Sequence, residues 1–181
     1  TSAFGKKDHL VHIDCNEEIF SNLPIPSNTE VWIFNTRIKH DLVDSLYSTR
    51  HQECLESLQK GQHKYPTKRK LTDFTLDEIE VLNLPGNLKK RATHVCEEQA
   101  RVMRFKEGLA SNISAEELGK LLAESHESSS RNFENSCDEL DFLAENLNNH
   151  SAVLGARLTG GGFGGAVMAW TRSSFDEEDA N

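Results

Sequence analysis

The chain has 181 residues, of which 36% are hydrophobic, and this size suits one ordinary soluble domain with a real core. Its 20 basic and 29 acidic residues give a net charge of -9, which repels phosphate backbones and excludes nucleic acid as an expected partner. No apolar run approaches the ~18 residues of a membrane span, and the N-terminus lacks a secretory signal, so we expect a cytoplasmic protein with no membrane partner. The scattered cysteines are expected to be reduced thiols rather than zinc ligands or a disulfide framework: Cys15, Cys54, Cys96 and Cys137.

The first half of the chain alternates short apolar runs with breaks. Leu10, Val11 and Ile13 predict a strand over residues 9–15, two prolines then break the chain, and Val31–Phe34 is a run typical of a buried strand. From residue 41, apolar side chains recur at spacings of three, four and seven, which predicts a helix of ~16–18 residues. The basic stretch 60–70 has no apolar period and is expected to be an exposed loop.

The second half predicts several helices followed by two strands. Capping-box patterns, in which a hydroxyl and a carboxylate three residues later bond free backbone N–H groups, begin at Thr75, Ser114 and Ser136. A longer helix is predicted between residues 88 and 109, and strands over 152–158 and 166–170. Strands at both ends with helices between them predict an α+β fold, with helices packed on one face of a mostly antiparallel sheet.

A glycine cluster separates the last two predicted strands. Residues 160–165 read GGGFGG, and five glycines in six positions indicate a backbone that takes positive φ angles or is closely approached by another group. A tight hairpin would need only about two such residues. A dinucleotide fingerprint would open a helix, and a phosphate loop would end in Gly-Lys and a hydroxyl residue, so the cluster is neither of these.

The segment GARLTGGGFGG, from residue 155 to residue 165, resembles the third motif of the GHMP small-molecule kinases, in its galactokinase form. Three more segments are similar to galactokinase motifs and occur in the family's order, and the opening residues 1–15 are similar to the stretch that follows the family's catalytic aspartate. These segments are Asn35–Leu42 with Ser45–Arg50 and Cys54, Lys90–Val95 with Glu97 or Glu98 and Arg101, and Glu124–His126 with Arg131, Phe133, Glu134 and Ser136–Asp141. Departures at Arg37, Leu46, residues 128–130 and Ala166 leave the particular sugar open.

The resemblance implies ATP-dependent phosphorylation of galactose to galactose 1-phosphate, with Mg²⁺ as charge neutraliser. It implies a GHMP kinase C-terminal domain of ferredoxin-like α+β fold over residues 29–181, incomplete at its C-terminal end, preceded by a remnant of the N-terminal domain over residues 1–28. The catalytic aspartate and the phosphate loop of the family would lie before residue 1. We therefore expect no catalytic residue in this chain, which would be an inactive fragment by itself.

The resemblance also implies a set of binding residues. Tyr47 aligns with the family's sugar-binding tyrosine, although without the family match it would be read as part of the apolar helix face with Val43 and Leu46. Lys39 stands where the family often places a basic residue close to the nucleotide phosphates, and an ordinary solvated lysine is an equal alternative. The expected active-site loop consists of Gly160, Gly161, Gly162, Gly164 and Gly165. The alternative is a glycine hairpin whose glycines serve packing alone.

Several alternatives remain open from the sequence. The sugar could be N-acetylgalactosamine or another sugar, or the chain could belong to a non-catalytic sensor that binds galactose and ATP. Oligomers could form through exposed apolar surface on the strand over residues 9–15. His12 and Asp14 share one strand face and His9 lies on the other, an arrangement that does not predict a metal site.

Overall fold

The secondary structure follows the predicted order, with one additional strand near the N-terminus. The computed structural model describes residues 4–39, 43–176 and 178–180. The strands are β1 (His9–Asp14), β2 (Ile19–Pro24), β3 (Thr29–Lys39), β4 (Val153–Thr159) and β5 (Gly164–Arg172). The α-helices are α1 (Val43–Lys64), α2 (Leu76–Val81), α3 (Gly86–Ala110), α4 (Ala115–Ser128) and α5 (Asp138–Asn149), and a π-helix (Ser129–Phe133) follows α4 directly.

The glycine cluster joins two neighbouring strands of a three-stranded sheet. The strand order is β3-β5-β4, and both pairings are antiparallel. Leu140 and Ala144 of α5 pack against one face of this sheet, where Val167 is fully buried. Trp170 lies on the other side of β5, and its ring centroid is 5.6 Å from that of Phe105 in α3. The predicted α+β class with a mostly antiparallel sheet is confirmed, and the Trp170 contact adds a helical layer on the second face.

Helix α1 is longer than predicted, because its last turn includes residues that were expected to form a loop. A Cβ on Gly61 would lie 2.7 Å from the ring of Phe74, so this glycine lets the ring approach the helix. Tyr65 meets the same ring edge-on at 5.9 Å. Packing around Phe74 therefore holds the polar end of α1, which has no apolar period of its own. Residues 40–42, which belong to the first galactokinase-like motif, lie outside the described residues.

Two of the three predicted helix starts are correct and one is wrong. Thr75 and Ser114 each cap a helix, and their side chains accept hydrogen bonds from Glu78 N and Glu117 N. The predicted start at Ser136 is one residue too early, because the backbone is still extended at Cys137, which is the N-cap of α5. No helix in the described part of the chain is long and apolar enough to cross a bilayer.

The N-terminal strands form a separate antiparallel hairpin, β1-β2, in which Leu10 lies opposite Leu23. These two leucines pack against the cluster around Trp170. Strand β2 was not predicted, because its sequence IFSNLP mixes polar residues with a proline. Ile13 and Phe20 are exposed on the hairpin, and association through this surface stays a prediction. The predicted domain boundary after residue 28 falls between the two sheets and also stays a prediction.

Candidate functional site

The loop between β4 and β5 has an unusual backbone. Four glycines in this loop and in the first two residues of β5 have positive φ angles, from 82° to 118°, and Phe163 has a φ of 58°. Residues with a Cβ rarely adopt such conformations, and Phe163 is therefore strained. Its N–H donates a hydrogen bond of 2.6 Å to Asn135 O, which holds the loop against the segment that follows the π-helix. The glycine-rich composition is thus required in part by the backbone conformation.

Gly161 and Gly162 are glycines for different reasons. A Cβ on Gly162 would lie 2.0 Å from Asn135 O, so packing within the chain excludes any side chain there. Gly161 does not have a positive φ, and none of the described atoms lies within 4 Å of the position of its Cβ. Neither its conformation nor its described neighbours therefore require a glycine. Space at this position remains available for a ligand or for another chain segment that approaches the backbone.

The end of β3 lies against this loop. Lys39 is paired with Gly164, and the Thr36 hydroxyl donates a hydrogen bond of 2.8 Å to Gly165 O. A bulge interrupts the strand between these positions, and Arg37 in the bulge has a φ of 58°. The fold thus brings the backbone of Lys39 and the glycine loop together, as their assignment to one site requires. The strained Arg37 was not predicted as a site residue.

Tyr47 lies on α1 and is exposed over 57% of its surface. Its phenol has no hydrogen bond within the part of the chain that the structure describes, and the ring does not belong to any of the buried clusters. Among the described residues, the ring therefore does not pack on the apolar face of the helix as a core residue. Tyr47 is therefore available to a ligand, although its assignment as the sugar-binding residue stays a prediction.

A network of ion pairs connects α1 and α3 to the segment after the π-helix. Arg91 is only 1% exposed, and its guanidinium donates to Glu53 Oε2 at 2.6 Å and to Glu134 Oε2 at 2.7 Å. Arg50 donates to the backbone oxygen of Glu134 at 3.2 Å. Hydrogen bonds from Lys90 and Arg91 lower the pKa of Glu134 to about 2, so this carboxylate is ionised at neutral pH. Arg91, Lys90 and Glu134 belong to the recognised motifs, but the sequence alone assigned them no role.

A buried histidine holds the end of β4 just before the glycine loop. His126 Nδ1 accepts a hydrogen bond of 3.1 Å from Leu158 N, and Nε2 lies 3.2 Å from Asp141 Oδ1. Burial lowers the pKa of His126, which favours the neutral ring that this acceptor role needs. Among the described residues, no group of three or more His, Cys, Asp or Glu side chains could hold a metal ion.

A comparison with family models finds a match in the C-terminal part of the chain. Residues 106–181 match the family model described as GHMP kinases C terminal. This match confirms the resemblance to the C-terminal domain of that kinase family.

Within that class, the similarity is to galactokinases. The galactokinase of Thermotoga petrophila is 39% identical over 173 residues, which are 95% of this chain and 47% of that protein. The galactokinase of Pasteurella multocida is 40% identical over 93% of this chain and 44% of its own length. The crystal structure of Lactococcus lactis galactokinase complexed with galactose superposes with a TM-score of 0.87 at 30% identity, over 94% of this chain and 45% of that one. The chain spans about half the length of the curated relatives it matches.

Proposed function

We propose that this chain is the C-terminal portion of a galactokinase, which transfers the γ-phosphoryl group of ATP to galactose and gives galactose 1-phosphate. The observation that carries the proposal is the glycine loop, and Gly161 is its most informative residue. Neither the φ angle of Gly161 nor any described neighbour requires a glycine at this position. Such a backbone suits close approach by a ligand or by a phosphate-binding segment. The similarity to galactokinases supplies the reaction and the sugar.

Phosphoryl transfer depends mainly on positioning and on electrostatic stabilisation, and these are roles that the described residues suit. The phenol of Tyr47 would hydrogen-bond a sugar hydroxyl, and Lys39 would supply positive charge near the phosphates. The loop from Gly160 to Gly165 would lie against the reacting groups. The catalytic base and the phosphate loop would come from a region of the enzyme outside this chain.

ATP would supply the phosphoryl group, and Mg²⁺ would neutralise its charge. The open backbone around Gly161 fits the approach of a phosphate group, and Lys39 pairs with the same loop. Mg²⁺ in kinases is held by substrate phosphates with one or two carboxylates, and the proposal assigns none of the described residues to it. We also propose that residues 1–28 are the last part of the N-terminal domain of the enzyme, and the separate β1-β2 sheet supports this division. We further propose that the enzyme is cytoplasmic.

The test uses a chimera in which this chain replaces the matching region of Thermotoga petrophila galactokinase. We expect ATP-dependent phosphorylation of galactose by the chimera and none by the isolated chain. N-acetylgalactosamine offered in the same assay tests the sugar assignment. A folded chimera that phosphorylates no sugar would contradict the proposed activity, and one that prefers N-acetylgalactosamine would contradict the proposed substrate.

Within the chimera, Tyr47→Phe tests the sugar-binding residue. Loss of one neutral hydrogen bond, ~0.5–1.5 kcal/mol, should raise the KM for galactose about 2- to 10-fold and leave the KM for ATP nearly unchanged. Tyr65→Phe is the matched control, because the ring of Tyr65 packs on Phe74 in a buried cluster to which Tyr47 does not belong. An unaltered KM and kcat for galactose in Tyr47→Phe would mean that the phenol does not contact the sugar.

A further inference from the structure

The segment directly after the π-helix lies between the helix that carries Tyr47 and the glycine loop. Glu134 ends the π-helix in the left-handed conformation, with φ 54° and ψ 45°. A residue with a Cβ keeps such a conformation only where its surroundings impose it, and strain of this kind concentrates at functional sites. The surroundings of Glu134 and of the next residue, Asn135, are therefore informative.

The side of this segment that carries Glu134 is attached to the helices. Arg91, buried in α3, donates to Glu134 Oε2 at 2.7 Å and to Asn132 O at 2.5 Å. Arg50 of α1 donates to Glu134 O and lies one helical turn after Tyr47. Lys90 adds an ion pair of 2.7 Å. The backbone and the carboxylate of Glu134 are thus held from two helices, one of which carries the proposed sugar-binding residue.

The side that carries Asn135 is attached to the glycine loop. Asn135 is 8% exposed, and its backbone oxygen accepts the hydrogen bond from Phe163 N at 2.6 Å. Its side-chain amide donates to Gly161 O at 3.2 Å. The same backbone oxygen lies where a Cβ on Gly162 would be. The two peptide groups that flank Gly162 are therefore both held by one residue, and the first of them contains the carbonyl group of Gly161.

We propose that Glu134 and Asn135 form a positioning pair, which sets the glycine loop at a fixed distance from the Tyr47 helix and thereby aligns the phosphoryl donor with the bound sugar. This inference rests on the proposed function, since Tyr47 and the loop are taken as the two sides of one active site. Neither residue of the pair contacts the substrate in this scheme. Their effect should therefore fall on the catalysed step rather than on binding, because small displacements of reacting groups cost far more in rate than in affinity.

Two variants separate positioning from general stability. Glu134→Gln keeps the size of the side chain and removes the charge that Lys90 and Arg91 contact, and Asn135→Ala removes the hydrogen bond to Gly161 without touching the ion network. Glu80→Gln is the matched control, because Glu80 of α2 pairs at 2.7 Å with Lys89 of α3, the helix that also carries Lys90 and Arg91, and does not contact the loop.

The first measurement is hydrogen exchange in the full 181-residue chain, which needs no catalysis. We expect faster exchange of the Phe163 amide in both test variants, while the amides of β5 and the whole of Glu80→Gln behave as in the parent chain. Unchanged exchange at Phe163 in both variants would overturn the pair as a positioning device. If Glu134→Gln does not fold, Asn135→Ala decides the matter alone.

The second measurement is steady-state kinetics in the chimera. We expect kcat to fall about 10- to 100-fold in the test variants, the KM values for galactose and ATP to stay within about 3-fold, and Glu80→Gln to match the parent. A rise in KM with an unchanged kcat would overturn the proposal. An inactive parent chimera would instead contradict the proposed function, and the exchange measurement would still report whether the pair holds the loop.

Discussion

Replacing Gly162 with alanine tests whether the loop conformation is fixed by contact with Asn135. The added Cβ would lie 2.0 Å from Asn135 O and 2.8 Å from Asn135 Nδ2, and the φ of 82° disfavours any residue with a Cβ. The left-handed conformation costs ~1–2 kcal/mol and overpacking costs ~1–3 kcal/mol, so the loss of stability should be about 2–5 kcal/mol. The contacting oxygen cannot move away easily, because it also accepts the short hydrogen bond from Phe163 N.

Gly161→Ala is the comparison within the same loop. Its φ is not positive and its Cβ would meet none of the described atoms within 4 Å, so we expect a change in stability of less than about 1 kcal/mol. Urea unfolding of the chain with each substitution measures the difference, and the m-value should be the same in both. In the chimera, Gly161→Ala should reduce kinase activity although the protein stays folded. Equal losses of stability in the two variants would refute the distinction between the two glycines.

Three further predictions concern other parts of the fold. Burial lowers the pKa of His94 from its ordinary value of 6.5 to about 4, so between these pH values the unfolded chain binds a proton that the folded chain does not. The contribution of His94 to stability should therefore be constant above pH ~6.5 and fall by up to ~3 kcal/mol between pH ~6.5 and ~4. Urea midpoints across this range should show a smaller slope in His94→Gln, and parallel slopes would contradict the assignment. Gly119→Ala should destabilise the chain by more than ~2 kcal/mol, because the added Cβ would lie 2.0 Å from Leu154 O. Gly86→Ala should not, because the space around Gly86 is open. Equal melting temperatures of the two variants would count against the packing argument. Arg37→Asn should stabilise the chain by ~0.5–1 kcal/mol, because asparagine tolerates the φ of 58°, and a lower melting temperature would disprove this.

The sequence predicted the elements whose pattern is local. The run Val31–Phe34 and the apolar segments before and after the glycine cluster lie in strands, and the hydroxyl-carboxylate pairs at Thr75 and Ser114 lie at helix starts. The strand that contains Val31 and Ile33 is at the edge of the sheet, and these two side chains are exposed rather than buried as predicted. The errors have tertiary causes. Helix α1 continues because Phe74 packs on Gly61. The residue before Ser136 is hydrogen-bonded to the distant Phe163, and α5 begins one residue later than the local pattern predicts.

Only part of the candidate site could be predicted, because many of its contacts join residues that are far apart in the sequence. Crowding of glycines marks the loop, and family resemblance marks Tyr47 and Lys39. No local pattern could connect Arg91 with Glu134, since 43 residues separate them, or Arg50 with Glu134, since 84 separate them. Gly161 also looks like its neighbours in the sequence, and only the atoms that surround each glycine in the fold distinguish it from Gly162.

The position of β5 in the sheet has a consequence for synthesis on the ribosome. β5 lies between β3 and β4, and it is the last strand of the described chain to be made. The hydrogen bond from Thr36 to Gly165 closes over 129 residues, so at ~5–20 residues per second β3 waits about 6–26 s for its partner. During this time Trp32 and Phe34, which pack against the core of the finished fold, are available to chaperones and to other nascent chains. The strand that completes the proposed active site is thus also the one that ends this period of exposure.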